Sequence, residues 1–257
     1  MGTLTRTEAM EILQEQTQTV VKANSLIQNA RYTLSTNEQK VVLYVISKIK
    51  PEDTELQTYK ITIRDLCRVC GVVSAGNNYA NFETCIKNIS DNSFFIYEGK
   101  KKHLVRWIDR PTFLEEESAV VLQLDPRLRP YLLNLKQNFT QYEISNILAM
   151  KSKYSIRLYE LLKSYAFIGE HTFALDELKD MLQTAEYTVY NNFKVRVLDV
   201  AVEEINRYTE LNVRFQPIRS GRKITEISFE IDKKEQEEQF TAALAKRKNL
   251  ALKEELV

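Results

Sequence analysis

Apolar positions along the chain follow two rhythms that alternate in a fixed order. LSTNEQKVVLYVISKI (34–49) opens on Ser35 and Glu38, spaced as a capping box, and runs on as an apolar helix. YKITIRDLCRVCGV (59–72) changes from a short β-like run to a helix striped by Leu66, Val69 and Cys70. In NFETCIKNIS (81–90), Phe82, Ile86 and Ile89 recur at helical spacing. SFFIYEGKKKHLVRWI (93–108) then holds two β-rich runs around a Gly-Lys-Lys-Lys turn, the pattern of a hairpin.

The same order returns further on. KSKYSIRLYELLKSYA (151–166) is a helix striped by Ile156, Tyr159 and Leu162, and HTFALDELKDMLQT (171–184) goes from β-like to helical. NFKVRVLDVA (192–201) repeats the N-F-x-x-x-[IV]-x-x-[IV] pattern with Phe193, Val197 and Val200. LNVRFQPIRSGRKITEISFEI (211–231) is again two β-rich runs, here around Arg-Ser-Gly-Arg-Lys. Phe82 and Phe193 lie 111 positions apart and Ile63 and Leu175 lie 112 apart, so one register relates both blocks. Each half reads helix, short strand, helix, turn, helix, hairpin, which is the order of a winged helix-turn-helix. The predicted fold class is α+β: two tandem winged-helix domains related by internal duplication. Residues 109–150 join the halves through an acidic loop (Glu115, Glu116, Glu117), a strand-like AVVLQLD and a helical PRLRPYLLNL. The expected division is an N-terminal extension (1–23), a first domain (24–135), a second domain (136–232) and a charged C-terminal tail (233–257).

Composition narrows the function. The 257 residues are 44% hydrophobic and 28% charged, with few Gly and Pro, as in a soluble globular protein. No apolar run reaches the roughly 20 residues needed to span a bilayer, and the first residues lack the apolar core of a signal peptide. The expected location is the cytoplasm, with no membrane partner. Three cysteines argue against a disulfide framework, and Cys67 and Cys70 read as two small apolar residues on one helix face. Net charge is +1, so nucleic-acid binding has to come from local basic patches. No enzyme, metal or cofactor is expected. His103 and His171 are isolated, and after Gly71 and Gly76 come Asn77 and Asn78 where a phosphate-binding loop needs Lys and Ser or Thr.

The helix 190–206 carries the chemistry. Advancing 100° per residue from Phe193 gives an apolar arc of Phe193, Val197, Val200, Ala201 and Ile205, widened by Leu198 and Val202. The opposite strip holds Asn192, Arg196, Asp199, Glu203 and Asn206. The second helix of a helix-turn-helix presents its first residues to base edges, where Asn suits adenine and Arg suits guanine. Asn192 and Arg196 are the candidates, and Lys194 points toward the apolar arc with reach to a phosphate. Asp199 either salt-bridges Arg196 or meets a base itself. In the following hairpin Arg219, Arg222 and Lys223 surround Gly221, where a wing meets backbone phosphate. The first half offers Thr84, Lys87 and Asn88 on its helix and Lys100, Lys101, Lys102 and Arg106 on its hairpin, either as a weaker DNA contact or as solvated surface.

Four motifs together resemble the plasmid replication initiator proteins that bind iterons: N-S-L-I (24–27), L-S-x-x-E-Q-K (34–40), K-S-K-Y-S-I-R-L-Y-E-L-L (151–162) and Y-N-N-F-K-x-R-V-L-D-x-A-x-x-E-I-N (190–206). The resemblance covers about 24–231. It implies monomers that bind direct repeats in double-stranded DNA at a plasmid origin, dimers formed through the first domain that repress the initiator's own promoter, and contacts with host helicase or primase machinery. Carried over by motif, Lys151, Ser152, Lys153, Tyr154 and Arg157 lie near backbone phosphates, and Asn191 joins Asn192, Lys194 and Arg196 at the start of the recognition helix. Tyr159 and Leu161 are assigned to the core. The nearest rival reading is a winged-helix transcription regulator without a replication role.

Overall fold

The computed structural model describes residues 18–72 and 78–254, without the side chains of 251–254. Residues 1–17 of the extension, Gly76 and Asn77 of the excluded phosphate loop, and the last three residues of the tail lie outside the described residues.

Strand β1 (Thr19–Ala23) leads into helix α1 (Asn24–Asn29) and a two-residue strand, β2 (Ala30–Arg31). Helix α2 (Thr36–Ser47) starts where the sequence places it. Ser35 Oγ accepts from the Glu38 amide at 3.3 Å, and Glu38 accepts from the Ser35 amide at 2.7 Å. Strand β3 (Thr58–Thr62) runs into α3 (Ile63–Cys70) through a second capping box, built from Thr62 and Asp65. Gly71 closes α3 in the left-handed region at φ 66. Cys67 and Cys70 are buried on α3 as free thiols. Helix α4 (Asn78–Asp91) buries Phe82, Ile86 and Ile89 and precedes the hairpin β4 (Ser93–Glu98) and β5 (Lys101–Arg106).

The joining segment supplies a second hairpin, β6 (Ile108–Leu114) and β7 (Ala119–Leu124), then a short helix, α5 (Arg129–Leu132), strand β8 (Phe139–Glu143) and helix α6 (Ile144–Ala149). The second half follows with α7 (Lys153–Tyr165), β9 (Glu170–Ala174) and α8 (Leu175–Met181). A long helix, α9 (190–208), leads into a hairpin of β10 (Leu211–Ser220) and β11 (Lys223–Lys233), and helix α10 (Gln236–Glu254) ends the described chain.

Both halves keep the predicted element order but pair their strands differently. In the second half β9 joins the hairpin in a sheet of order β10-β11-β9. In the first half β3 pairs with β7 instead, in a sheet of order β3-β7-β6, and the hairpin β4-β5 has only β2 beside it. The reason lies in the joining segment: Val120, Leu122 and Leu124 alternate along β7 and are fully buried, so that strand gives β3 an apolar partner.

One other expectation changes. Residues 19–23, left in the extension by the sequence, form β1 and pair with β8. The end of the joining segment is part of the core, because every residue of α6 is buried and one core runs through both halves.

Ionic groups inside that core fasten the halves together. Lys22 and Glu160 form an ion pair with side chains 1% and 0% exposed, and the Tyr142 hydroxyl donates to Glu160 at 2.5 Å. Burial pulls the Lys22 ammonium below its usual range, against the attraction of Glu160. The Lys151–Lys153 turn is held from two sides. Thr36 Oγ1 and Gln39 Nε2 each donate to its carbonyls at 3.1 Å, and Glu204 accepts from the Lys151 and Ser152 amides. In the tail, Lys234 Nζ donates to the Thr209 carbonyl at 2.7 Å, closing the end of α9, and α10 buries Ala242 and Leu250. No helix among the described residues is long and apolar enough to cross a membrane.

Candidate nucleic-acid interface

Helix α9 is not a regular α-helix. Its first turn, Tyr190–Phe193, passes into a π-helical stretch, Lys194–Asp199, and only then into Val200–Tyr208. A π-turn fits an extra residue per turn, so the positions after it lag behind a 100° wheel. On the regular wheel Leu198 sits about 140° from Phe193 and Val200 only about 20° away. In the structure Leu198 is fully buried beside Phe193, Val197, Ala201 and Ile205, whereas Val200 is 37% exposed. The expected arc is corrected at Val200, while Leu198, counted as widening the arc, is buried as expected.

The same turn settles the partner of Asp199. Lys194 Nζ donates to both of its carboxylate oxygens, at 2.8 and 2.7 Å, and lies 5.7 Å from the centre of the Phe215 ring on β10. Residues five apart stack on a π-helix, so Asp199 serves Lys194 and not Arg196. Arg196, Asn191 and Asn192 are exposed, and none of their side chains has a hydrogen bond or ion pair among the described residues. Val195 is 51% exposed beside Arg196. Asn206 leaves the predicted outer strip: its amide donates to the Val213 carbonyl and accepts from the Val213 amide, at 2.9 and 2.7 Å.

The wing that follows turns through Gly221 and Arg222, with Gly221 at φ 61. Arg219, Arg222 and Lys223 are exposed at its tip, and none has an ion pair among the described residues. Burial pushes the Tyr190 hydroxyl up, with Lys194 and Arg219 acting against that shift.

The start of α7 is different. Arg157, expected near phosphate, is only 4% exposed. Its guanidinium donates to the Ile27, Ala30 and Met181 carbonyls at 2.6, 3.0 and 3.4 Å and stacks over Tyr32. Arg157 is thus corrected from a DNA contact to an internal clamp. It satisfies carbonyls at the end of α1 that would otherwise be buried without partners. The Tyr154 hydroxyl donates to Glu186 at 3.0 Å, and burial together with Tyr187 and Glu186 pushes it up. Ser152 caps α7 through the Tyr154 amide, and Lys153 lies over the Tyr154 ring. Only Lys151 among these five is fully exposed with a side chain free of partners among the described residues.

In the first half, Thr84, Lys87 and Asn88 are exposed on α4, but each has an internal partner. Thr84 donates to the Ala80 carbonyl at 2.9 Å, Lys87 pairs with Asp91 at 3.0 Å, and Asn88 reaches Glu38 at 3.4 Å. The hairpin β4-β5 turns at Gly99 and Lys100 and exposes Lys100, Lys101, Lys102 and Arg106. Lys102 lies over the Tyr97 ring.

Sequence reasoning missed Val195 and Val200 as surface residues. Nothing in the local sequence marks a π-turn, but the valine-rich run VRVLDVAV (195–202) has more apolar positions than one core-facing arc needs.

The family described as "Initiator Replication protein, WH1" matches residues 19–163, and "Initiator Rep protein, WH2" matches residues 174–231. A "Replication initiation protein" of Escherichia coli is 24% identical over 225 residues, covering 83% of this chain and 69% of that protein. The "PI protein" of Escherichia coli is 27% identical over 147 residues, covering 50% of this chain and 47% of that protein. Among solved structures, the Pi initiator protein in complex with iteron DNA superposes with a TM-score of 0.69 at 20% identity, covering 86% of this chain and 99% of that one, which shows the shared fold. With the two winged-helix families matched in tandem across most of its length, the chain belongs to the replication initiator proteins.

Proposed function

We propose that the chain binds directly repeated origin sequences, iterons, in double-stranded plasmid DNA, and that α9 is its main base reader. The observation that carries this reading is the set of unpartnered side chains at the start of α9, Asn191, Asn192 and Arg196, beside the free cations of the wing tip. Asn and Arg read adenine and guanine edges in the major groove, and the exposed Val195 and Val200 suit thymine methyl groups. Arg219, Arg222, Lys223 and Lys151 contact phosphate and fix register. Lys100, Lys101, Lys102 and Arg106 on the first wing supply a second phosphate contact, with Thr84, Lys87 and Asn88 behind it. The second domain, taken as 136–232, is the reader. The first, taken as 24–135 with β1 added, also dimerises.

Self-association through the first domain is supported by its hairpin. Strand β5 lies at a sheet edge, and its Leu104 and the paired Phe95 on β4 are 47% and 42% exposed. In this reading dimers repress the initiator's own promoter, monomers occupy the origin and recruit host helicase or primase, and the protein works in the cytoplasm by binding, without catalysis. The test is nuclease footprinting on tandem repeats, first those sought in the DNA flanking the gene, across a salt series, with plasmid replication scored in parallel. Protection in phase with the repeats, and loss of replication without the gene, are expected. No protection at low salt overturns the reading.

A further inference from the structure

The Lys194–Asp199 pair has no counterpart on a regular helix. Residues five apart would point about 140° away from one another there. The π-turn and the pair therefore occur together, and together they fold back a cation at the mouth of the reading surface. Lys194 is held by both oxygens of Asp199, with its ammonium close to the Phe215 ring, while Arg196 two positions on is left free. π-turns inside α-helices are frequent at functional sites, and this one lies where the helix would meet DNA.

We propose that Asp199 is a positioning residue that sets sequence specificity by withholding Lys194 from phosphate. A lysine free at this place would add a contact made with any DNA, because phosphate contacts carry no sequence information. Held back, it leaves contact by α9 to Asn191, Asn192, Arg196 and the exposed valines, which are the groups able to distinguish bases. This inference rests on the proposed DNA-binding role and deepens it.

The test is a double-mutant cycle on the full chain, measuring affinity for iteron DNA and for random duplex over a salt series. Asp199→Asn is expected to tighten binding to random duplex about fivefold, to lower the ratio of iteron to random affinity, and to steepen the random-DNA salt slope by about 0.9, the value of one added phosphate contact. In the Lys194→Gln background the same substitution is expected to gain nothing, because the lysine it releases is absent. A gain of equal size in both backgrounds would mean that Asp199 merely repels phosphate, and would overturn the proposal. So would an unchanged affinity ratio in Asp199→Asn. Asp199→Ser repeats the cycle should Asp199→Asn fail to fold. If the wild-type chain binds no DNA at low salt, the functional reading fails and this inference fails with it. If wild type binds and the cycle is flat, this inference alone fails.

Discussion

The two winged helices of this chain share an element order and differ in what their outer surfaces have left to give. On α4, Lys87, Asn88 and Thr84 are engaged by Asp91, Glu38 and the Ala80 carbonyl. At the start of α9, the side chains of Asn191, Asn192 and Arg196 have no such partners among the described residues. The wings differ as well. The first hairpin has strands of 6 residues each, and the second has strands of 10 and 11 residues backed by β9. A polar face becomes a reading face when its groups are unsatisfied by their own neighbours, since an exposed pair must be broken before either member can serve a ligand. By that measure the proposed reader is the second half and the first half its support.

The largest expected effect concerns the clamp that keeps both halves in one body. Arg157→Ala strands buried carbonyls from both sides of the junction. It is expected to cost about 1–3 kcal/mol for each buried carbonyl left without a donor, read by chemical denaturation. Unchanged stability with a flatter salt dependence of DNA binding would return Arg157 to the interface.

Next comes the comparison itself. Arg196→Ala is expected to lose about 1–3 kcal/mol of discrimination at one base position, measured by competition between cognate and single-substituted repeats. Lys87→Ala on α4 is expected to stay within about 0.5 kcal/mol of wild type. Equal losses would make both helices readers.

A smaller effect separates the wings. Arg222→Ala is expected to weaken iteron and random DNA alike and to flatten the salt slope by about 0.9, one phosphate contact. Lys100→Ala is expected to change the slope less, and equal slopes would erase the distinction.

The smallest effect is on the sheet under the second wing. His171 on β9 stacks on Tyr165 at 3.6 Å between ring centres, and burial lowers its pKa from the usual 6.5. The unfolded chain then takes up this proton first, so stability falls as pH drops below 6.5. His171→Gln is expected to flatten that slope in denaturation curves taken between neutral and mildly acidic pH.

What was legible in the sequence was local. The capping box at Ser35, the core assignment of Tyr159 and Leu161, the buried Cys67 and Cys70, and the glycine turns of both hairpins all follow from signals within a few residues. Pairings between distant segments were not legible. Alternation along β3 says that it is a strand, but not that β7 outcompetes the hairpin for its edge. Arginine is seldom buried, and the carbonyls that hold Arg157 arrive from segments 127 and 130 positions away. The π-turn lies between these cases. The surplus of valines in 195–202 was visible, but a wheel turning at 100° put Val200 in the core and left Val195 unremarked.

The buried junction also has a mechanical meaning. Since β1 pairs with β8, α6 is sealed in the core and Lys22–Glu160 closes the seam, the two halves share one buried core. On the proposed reading, two DNA-contacting surfaces joined in this way would act as a phase gauge on the duplex. Such a gauge would accept sites separated by whole helical turns of about 10.5 base pairs. A half-turn insertion within a repeat is then expected to weaken binding, where a flexibly linked pair would tolerate it.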